Sequence, residues 1–288
     1  MDAKRLKWFY LLLLSLIWGS SFILIKIGLI GLTAIQVGSL RIIFAAVFLL
    51  IIGFSSLKKI SRRQWKFIAL TSVFGTFIPA FFFAIAETRV DSSIVAIMNS
   101  LTPLNTLILG AIAFGIQFQK RQILGVFVGF VGCLLLVLSD AMTHSGQDYY
   151  YVVLVVIATI CYAINVNLIK RYLSDLNSLS ITTGNFAVLL VPALIILSTT
   201  DFTQRISLEV SQHSILFVLI LGVLGTGIAN VVFFKLIQMS SPVFATSVTY
   251  LIPIVAFFWG LLDNEMLTPI QFFGAFIILI GVYLSAKK

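Results

Sequence analysis

Ten apolar stretches follow one another along this chain of 288 residues, and each is long enough to cross a lipid bilayer. A transmembrane helix needs roughly 20 consecutive, mostly apolar residues. Each stretch is predicted to be an α-helix, because a free backbone amide finds no partner in lipid. The predicted spans are residues 8–30, 34–53, 66–86, 92–115, 122–139, 150–169, 178–198, 214–236, 242–261 and 269–286.

The composition makes the lipid bilayer the main partner of this chain. Hydrophobic residues make up 60% of it and charged residues only 10%, whereas an ordinary soluble domain carries about 25% charge. The net charge of +9 does not indicate nucleic-acid binding, because the basic residues flank the apolar spans, where such residues set topology. No connection between spans is long enough to suggest a separate soluble domain.

The sequence shows no grouping of catalytic or metal-ligating residue types. Cys133 and Cys161 fall inside apolar spans, whereas His144 and His213 fall in separate polar loops. An enzyme site needs a nucleophile, a base or metal ligands that converge. We therefore expect no enzymatic activity, no metal and no cofactor.

The distribution of basic residues predicts the orientation in the membrane. Of the 19 Lys and Arg residues, 15 fall on one predicted side, Arg89 and Arg205 on the other, and Lys26 and Arg41 within spans. Lys and Arg accumulate on the cytoplasmic side, so both termini are expected in the cytoplasm. The compact length and the lack of organelle-targeting features favour a multi-pass protein of a bacterial inner (cytoplasmic) membrane.

The second half of the chain repeats the first at an offset of 144 to 150 residues. Because each half has five spans, the second copy enters the membrane inverted. Inverted repeats are common in secondary transporters, whose substrate site lies between the halves. We predict two five-helix repeats, residues 1–143 and 144–288, around a central cavity. The aligned pairs include Trp18 with Tyr162, Gly75-Thr76 with Gly225-Thr226, Phe83 with Phe233, Pro103 with Pro253, and Gly110 with Gly260.

Three segments resemble the EamA-type members of the drug/metabolite transporter (DMT) superfamily. The first is Trp18-Gly19-Ser20-Ser21-Phe22 followed by Lys26, and the second is the part of the second span that contains Arg41. The third is the acidic segment from Gly260 to Pro269, with Gln271 and Gly274 after it. The first half departs from the pattern, with Ile116 or Gln117 where the repeated glutamate would stand. The resemblance implies ten helices in two inverted units and the export of small metabolites or drugs.

Polar side chains form one stripe on the predicted fourth span and a second on the ninth. Spacings of three, four and seven residues place each stripe on one helix face, and the repeat aligns Asn99 with Thr249. We interpret the stripes as a cavity wall that hydrogen-bonds a polar solute; the alternative is that small polar residues join neighbouring helices. The predicted substrate contacts are Trp18, Ser21, Thr76, Asn99, Thr102, Thr226, Asn230, Thr249 and Tyr250.

Charged residues near the predicted outer side allow two interpretations. Lys26 and Arg41 lie within spans, and Glu87 and Asp91 approach the membrane from the same side. Charge inside a bilayer is costly, so each cation needs a partner or water. These residues form either a structural ion cluster or a positive funnel for a carboxylate- or phosphate-bearing solute. Glu265 allows two similar interpretations: it pairs with a residue of another helix, or it binds substrate.

Prolines and glycines at equivalent positions suggest bending points. Proline removes a backbone donor and kinks a helix. Pro103 and Pro253 are equivalent in the repeat, as are Gly110 and Gly260. We predict that these four residues are hinges for alternating access; static kinks that fit helices together are the alternative.

The sequence favours a secondary transporter that exports small metabolites by alternating access. The resemblance makes amino acids or related compounds the first candidates, and drugs the second. Proton coupling through a buried carboxylate is not favoured, because no Asp, Glu or His lies in the middle of a span. A membrane-embedded, non-transporting partner or sensor is the main alternative, and an intramembrane enzyme the weaker one. We take a monomer as the working assumption for the oligomeric state.

Overall fold

The protein is built from helices of a length and apolarity typical of membrane proteins. The computed structural model describes residues 2–141, 149–262 and 269–286, and within these ranges every regular element is helical. Seven helical stretches are long and apolar enough to cross a membrane: Arg5–Gly31, Ala34–Lys59, Arg62–Ala86, Ile94–Ile112, Val152–Tyr172, Ser178–Ser198 and Glu209–Met239. Pro242–Val255 and Phe273–Ala286 are shorter apolar helices.

Fifteen α-helices make up this part of the chain. They are α1 (Ala3–Gly31), α2 (Ala34–Gly53), α3 (Arg62–Ser72), α4 (Ile78–Ala86), α5 (Ser92–Met98), α6 (Thr102–Ile112), α7 (Lys120–Ala141), α8 (Val152–Tyr172), α9 (Ser178–Ser198), α10 (Phe202–Arg205), α11 (Glu209–Ile220), α12 (Ala229–Met239), α13 (Pro242–Thr246), α14 (Val248–Leu262) and α15 (Pro269–Ala286). Short 3₁₀ helices cover Phe54–Lys59, Asn99–Leu101 and Tyr149–Tyr151.

Two stretches of π-helix occur at equivalent places in the two halves. Val73–Phe77 joins α3 to α4, and Leu221–Ile228 joins α11 to α12. Each contains a Gly-Thr pair, Gly75-Thr76 in the first and Gly225-Thr226 in the second. A π turn widens the helix locally and is often found at functional sites.

Helix boundaries recur at the offsets found in the sequence. Helices α2 and α9 begin 144 residues apart, at Ala34 and Ser178. Polar caps define both starts, because the side chain of Thr33 accepts from Gln36 N and that of Asn177 accepts from Ser180 N; such caps satisfy amides that the helix leaves free. Helices α5 and α13 begin 150 residues apart, and α6 and α14 end 150 residues apart.

Glycines allow α7 and α15 to approach each other very closely. A Cβ atom on Gly125 would lie 2.5 Å from Ser285 N, and one on Gly281 would lie 2.4 Å from Gly129 N. Small residues are the usual means by which membrane helices pack backbone to backbone. The other helices pack across the halves, α1 against α12 and α14, and α8 against α4 and α6. These cross-packed helices enclose a central space.

The predicted hinge residues lie in two different backbone settings. Pro103 is in the first turn of α6, directly after the 3₁₀ turn Asn99–Leu101, a position that proline tolerates because the amide it lacks would be unpaired there. Pro253 lies inside α14. The helix of this span is interrupted before Pro253, at Ser247 between α13 and α14. Gly110 lies in α6 and Gly260 in α14.

Candidate functional site

A central cavity of about 810 Å³, including the space at its opening, lies between the cross-packed helices. Small-molecule sites are commonly concave, with mostly apolar walls and a few polar groups. Both π-helical stretches contribute to its wall, as do α1, α2, α4, α6, α8, α12, α13 and α14. The lining residues are Trp18, Ser21, Phe22, Ile25, Arg41, Gly75, Thr76, Ala80, Phe83, Asn99, Thr102, Tyr162, Asn165, Gly225, Thr226, Asn230, Phe233, Thr246, Thr249 and Ile252.

Eight of the nine predicted substrate contacts line this cavity, and Tyr250 does not. The Tyr250 hydroxyl donates to the carbonyl of Val126 in α7 at 2.9 Å, and its ring fills the space beside Gly129. One residue along a helix turns a side chain by about 100°, so Tyr250 points away from the face that Thr249 presents to the cavity.

Most of the wall consists of residues that are equivalent in the repeat. Sixteen of the twenty lining residues form eight pairs at an offset of 144 or 150. Tyr162 and Asn165 are not among the nine predicted substrate contacts, although the repeat pairs them with Trp18 and Ser21. The pairs are Trp18 and Tyr162, Ser21 and Asn165, Gly75 and Gly225, Thr76 and Thr226, Ala80 and Asn230, Phe83 and Phe233, Asn99 and Thr249, and Thr102 and Ile252.

Trp18 connects the first half of the chain to the π-helical stretch of the second. Its Nε1 donates to the carbonyl of Gly225 at 2.9 Å, and its ring meets Phe233 edge to face with centroids 4.9 Å apart. A carbonyl in a widened helix is more available to an outside donor than one in a regular α-helix. The contact fixes the indole as part of the aromatic wall.

Arg41 brings a positive charge to the cavity wall. Its Nε and Nη2 donate to the hydroxyl of Thr226 at 3.2 and 3.1 Å, and this hydroxyl donates to the carbonyl of Leu221 at 3.1 Å. Throughout the ranges that the structure describes, no carboxylate oxygen lies within 4.0 Å of the guanidinium. A neutral hydroxyl therefore orients the cation without cancelling its charge.

Two polar atoms of the lining residues are buried without a hydrogen-bond partner among the described residues. They are Thr76 Oγ1 and Asn165 Oδ1. Buried polar atoms are nearly always satisfied by protein, water or ligand. On the two polar stripes, Thr102 Oγ1 donates to the carbonyl of Asn99 at 2.7 Å, and Thr249 Oγ1 donates to the carbonyl of Thr246 at 2.9 Å. The cavity therefore offers a solute both free and partly satisfied polar groups.

A second, more open pocket is lined by Lys26 and Glu87. Lys26 is exposed, and Glu87, which follows α4, accepts from Ser92 Oγ at 2.7 Å. Its other oxygen, Oε1, is buried without a hydrogen-bond partner among the described residues. Burial raises the pKa of Glu87 to about 8, although the Ser92 hydrogen bond and the charges of Arg41 and Lys26 act in the opposite direction.

Asp91 is not among the residues that line either pocket. Asp91 is exposed, and its carbonyl accepts from Val95 N in the first turn of α5. Glu265 lies outside the described residues. Among the residues that are described, no three His, Cys, Asp or Glu side chains come together as a metal site would require.

Comparison with known proteins places this architecture in a family. The sequence profile of the EamA-like transporter family matches residues 6–138 and again residues 150–287. A protein named as an uncharacterized transporter of Archaeoglobus fulgidus is 25% identical over 98% of this chain and 99% of its own length. An uncharacterized inner membrane transporter of Escherichia coli, YedA, is 25% identical over 96% and 91% of the two chains.

Two further matches concern a named activity and the fold. A probable amino-acid metabolite efflux pump of Escherichia coli is 23% identical over 95% of this chain and 92% of its own. One solved crystal structure, 14% identical in sequence, superimposes with a TM-score of 0.73 over 98% of this chain and 96% of the other, which shows a shared fold. The family resemblance predicted from the sequence is thereby confirmed, and the chain belongs to the EamA-like transporter family.

Proposed function

We propose that this protein is a secondary transporter that exports a small metabolite through the central cavity by alternating access. The observation that carries the proposal is the wall itself, in which eight pairs of equivalent residues face one space. Two inverted copies that share a site can expose it first to one side and then to the other by exchanging conformations. A non-transporting membrane partner would not need a polar, partly unsatisfied cavity at its centre.

The proposal includes ten spans in two inverted five-span repeats, residues 1–143 and 144–288. The two separate matches to the family profile, ending at 138 and beginning at 150, support a duplication with a boundary between them. The recurring helix boundaries and the paired π-helical stretches support it as well. We place the protein in the inner membrane with both termini in the cytoplasm, as the distribution of Lys and Arg favours.

Two lysines at equivalent positions make different contacts, which supports a difference in conformation between the two halves. Lys170 Nζ donates to the carbonyls of Ile237, Gln238 and Ser240 at the end of α12, at 3.1, 3.4 and 2.7 Å. Lys26 is its equivalent at an offset of 144, yet within the described chain its Nζ donates no hydrogen bond. Helix α8 packs against α12, whereas α1 makes no comparable contact with α4.

We infer that this asymmetry marks one of the two access states. Lysines near a helix C-terminus stabilise the free carbonyls there, and Lys170 does so at the predicted cytoplasmic end. The positions that correspond to its partners in the first half are Glu87, Thr88 and Val90, and Lys26 shares the second pocket with the first two. In the opposite state Lys26 binds this helix end and Lys170 releases its own.

The π-helical stretches are the proposed moving parts, together with Pro103, Gly110, Pro253 and Gly260. A π turn can shorten or shift along a helix with little loss of hydrogen bonding. Each one carries a cavity-lining Gly-Thr pair. A change in helix register at these points would alter the wall and the span direction together.

Amino acids and related compounds are the first substrates to test, because one relative is named as an amino-acid metabolite efflux pump. The test is transport by the purified protein in liposomes loaded with amino acids, organic acids, nucleosides or cationic drugs. We expect efflux of at least one class that depends on the protein and falls when the cavity is altered. If no class moves while the same preparation binds a solute, the transporter proposal is wrong.

A further inference from the structure

The charge balance of the central cavity differs from what a zwitterionic solute needs. Among the described residues that line it, Arg41 carries the one formal charge, and none is Asp or Glu. An amino acid would bring a carboxylate for Arg41 and an ammonium group with no carboxylate to meet it. Removing an ammonium from water without a counter-charge is costly in a low-dielectric site.

We propose that the solute is a small organic monoanion, with one carboxylate on a largely apolar body and no ammonium group. This inference rests on the proposed function and names the substrate class of the same cavity. It predicts that the cavity binds solutes with a net negative charge more tightly than amino acids.

The guanidinium is available for such an anion. Nε and Nη2 both donate to the single hydroxyl oxygen of Thr226, and a guanidinium has five N–H groups. Nη1 and one hydrogen of Nη2 are left for a second acceptor. Among the described residues that line the cavity, Arg41 is the only charged one, so it matches a singly charged carboxylate better than a phosphate dianion.

Glu87 does not supply the missing negative charge. Glu87 is close enough to interact electrostatically with Arg41. It lines the second pocket, however, and makes no ion pair with the guanidinium within 4.0 Å. Burial raises the pKa of Glu87 to about 8, so most of this carboxyl is protonated at neutral pH. The positive charge of Arg41 thus remains for the solute.

The rest of the wall suits an apolar body of aromatic size. Trp18, Phe22, Phe83, Tyr162 and Phe233 line the cavity, and Trp18 and Phe233 contact each other edge to face. Aromatic rings of this kind bury large apolar surfaces of a ligand.

The experiment compares four ligands of nearly equal shape on the purified protein in detergent. They are 3-phenylpropionate (anion), 3-phenylpropanamide (neutral), phenylalanine (zwitterion) and 2-phenylethylamine (cation), and binding is followed by calorimetry and by indole fluorescence. We expect 3-phenylpropionate to bind at least about tenfold more tightly than each of the others. The amide and the amine lack the charged acceptor, whose hydrogen bonds are roughly twice as strong as neutral ones, and phenylalanine must also bury an ammonium without a counter-charge. Equal or tighter binding of phenylalanine, or no binding of 3-phenylpropionate at millimolar concentration, would overturn the proposal.

Matched variants assign the preference to the cavity. Arg41→Gln is expected to remove the preference for the anion, whereas Arg205→Gln removes a cation that pairs with Asp201 on the surface and should leave it intact. A preference that survives Arg41→Gln contradicts the proposal. If this variant does not fold, the ligand comparison on the unaltered protein still decides the question.

Transport in liposomes separates this inference from the proposed function. Efflux of phenylalanine without efflux of 3-phenylpropionate would leave the transporter proposal standing and reject the monoanion. Binding of 3-phenylpropionate that depends on Arg41, without movement of any solute, would support the anion site and reject transport.

Discussion

Arg41 of α2 is held by the hydroxyl of Thr226, which lies 185 residues later in the π-helical stretch between α11 and α12. The contact joins the two halves of the chain at the cavity wall. The hydroxyl donates its own hydrogen to the Leu221 carbonyl at 3.1 Å, so its lone pairs are directed toward the guanidinium. Thr226 is therefore a positioning residue for the charge.

Replacing Thr226 with valine should weaken solute binding and leave the protein folded. Valine keeps the shape of the side chain but removes the acceptor, and a hydrogen bond to a charged group contributes about 1.5–3 kcal/mol. We expect affinity for the transported solute to fall about tenfold or more, as measured by calorimetry. Thr226→Ser retains the hydroxyl and should stay within a few-fold of the unaltered protein; if the serine variant loses as much, the hydroxyl is not the cause.

The polar stripes on the fourth and ninth spans give a second prediction. Asn99→Leu and Thr249→Val should each reduce transport severalfold without lowering expression, because both side chains line the cavity. Thr199→Val is the matched control: its hydroxyl donates to the carbonyl of Ile196, as that of Thr249 does to Thr246, but it is exposed. Efflux from liposomes measures the effect, and normal transport by both cavity variants would refute the assignment of the stripes.

The stripes could be located from the sequence because their signal is local. Helical spacing alone puts Asn99 and Thr102 on one face, and the repeat alone pairs Asn99 with Thr249. The same spacing rule was too coarse for Tyr250, whose ring fills the space left by Gly129 on α7. That contact depends on tertiary packing, which helical periodicity does not contain.

Other parts of the site could not be read from the sequence for similar reasons. Hydropathy does not tell a π turn from an α turn, so the widened stretches at Gly75 and Gly225 were not foreseen. The partner of Arg41 depends on how α2 crosses the second half of the chain. Counting charges along the sequence does not show whether that partner is a hydroxyl or a carboxylate. Tyr162 and Asn165 could have been found by applying the repeat to Trp18 and Ser21.

Gly75 is predicted to be required because Asn165 fills the space beside it. A Cβ atom at Gly75 would lie 2.5 Å from Asn165 Cγ, so Gly75→Ala must displace this cavity-lining amide. Overpacking of this kind costs about 1–3 kcal/mol, and we expect a lower apparent melting temperature together with weaker transport. The double variant Gly75→Ala with Asn165→Ala removes the clash and should recover most of the stability lost by Gly75→Ala. Additive losses would show that the two residues are not coupled.

The stability of the protein should depend on pH through Glu87. Its folded-state pKa of about 8 lies above the ordinary value of 4.5 because the carboxyl is buried, so the folded state binds the proton more tightly than the unfolded state does. This contribution is complete below the unfolded pKa of 4.5 and is lost as the pH rises through the folded pKa of about 8.

Melting curves in detergent across this pH range provide the measurement. The difference between the unaltered protein and Glu87→Gln should shrink or reverse as the pH rises, since glutamine does not titrate. Glu209→Gln, which removes an exposed carboxylate in the first turn of α11, should give a profile parallel to that of the unaltered protein. Parallel profiles for Glu87→Gln as well would mean that Glu87 has an ordinary pKa.

The two equivalent lysines make opposite predictions about access to the cavity. Lys170→Met removes three hydrogen bonds to the end of α12 and should favour the state that opens to the cytoplasm. Lys26→Met removes no hydrogen bond of the present state within the described chain, but it removes the proposed partner of the α4 end in the other state. Access from the cytoplasm should therefore rise in the first variant and fall in the second.

A cysteine in place of the cavity-lining Asn230 reports this access, with an impermeant maleimide added to one side of oriented vesicles. The background protein is suitable because Cys133 and Cys161 are both buried. Lys235→Met, at an exposed position of α12, controls for the loss of a positive charge on the predicted cytoplasmic side and should leave labelling unchanged. If Lys170→Met and Lys26→Met shift labelling in the same direction, the two lysines do not alternate, and the packing of α8 on α12 is a fixed feature of the fold.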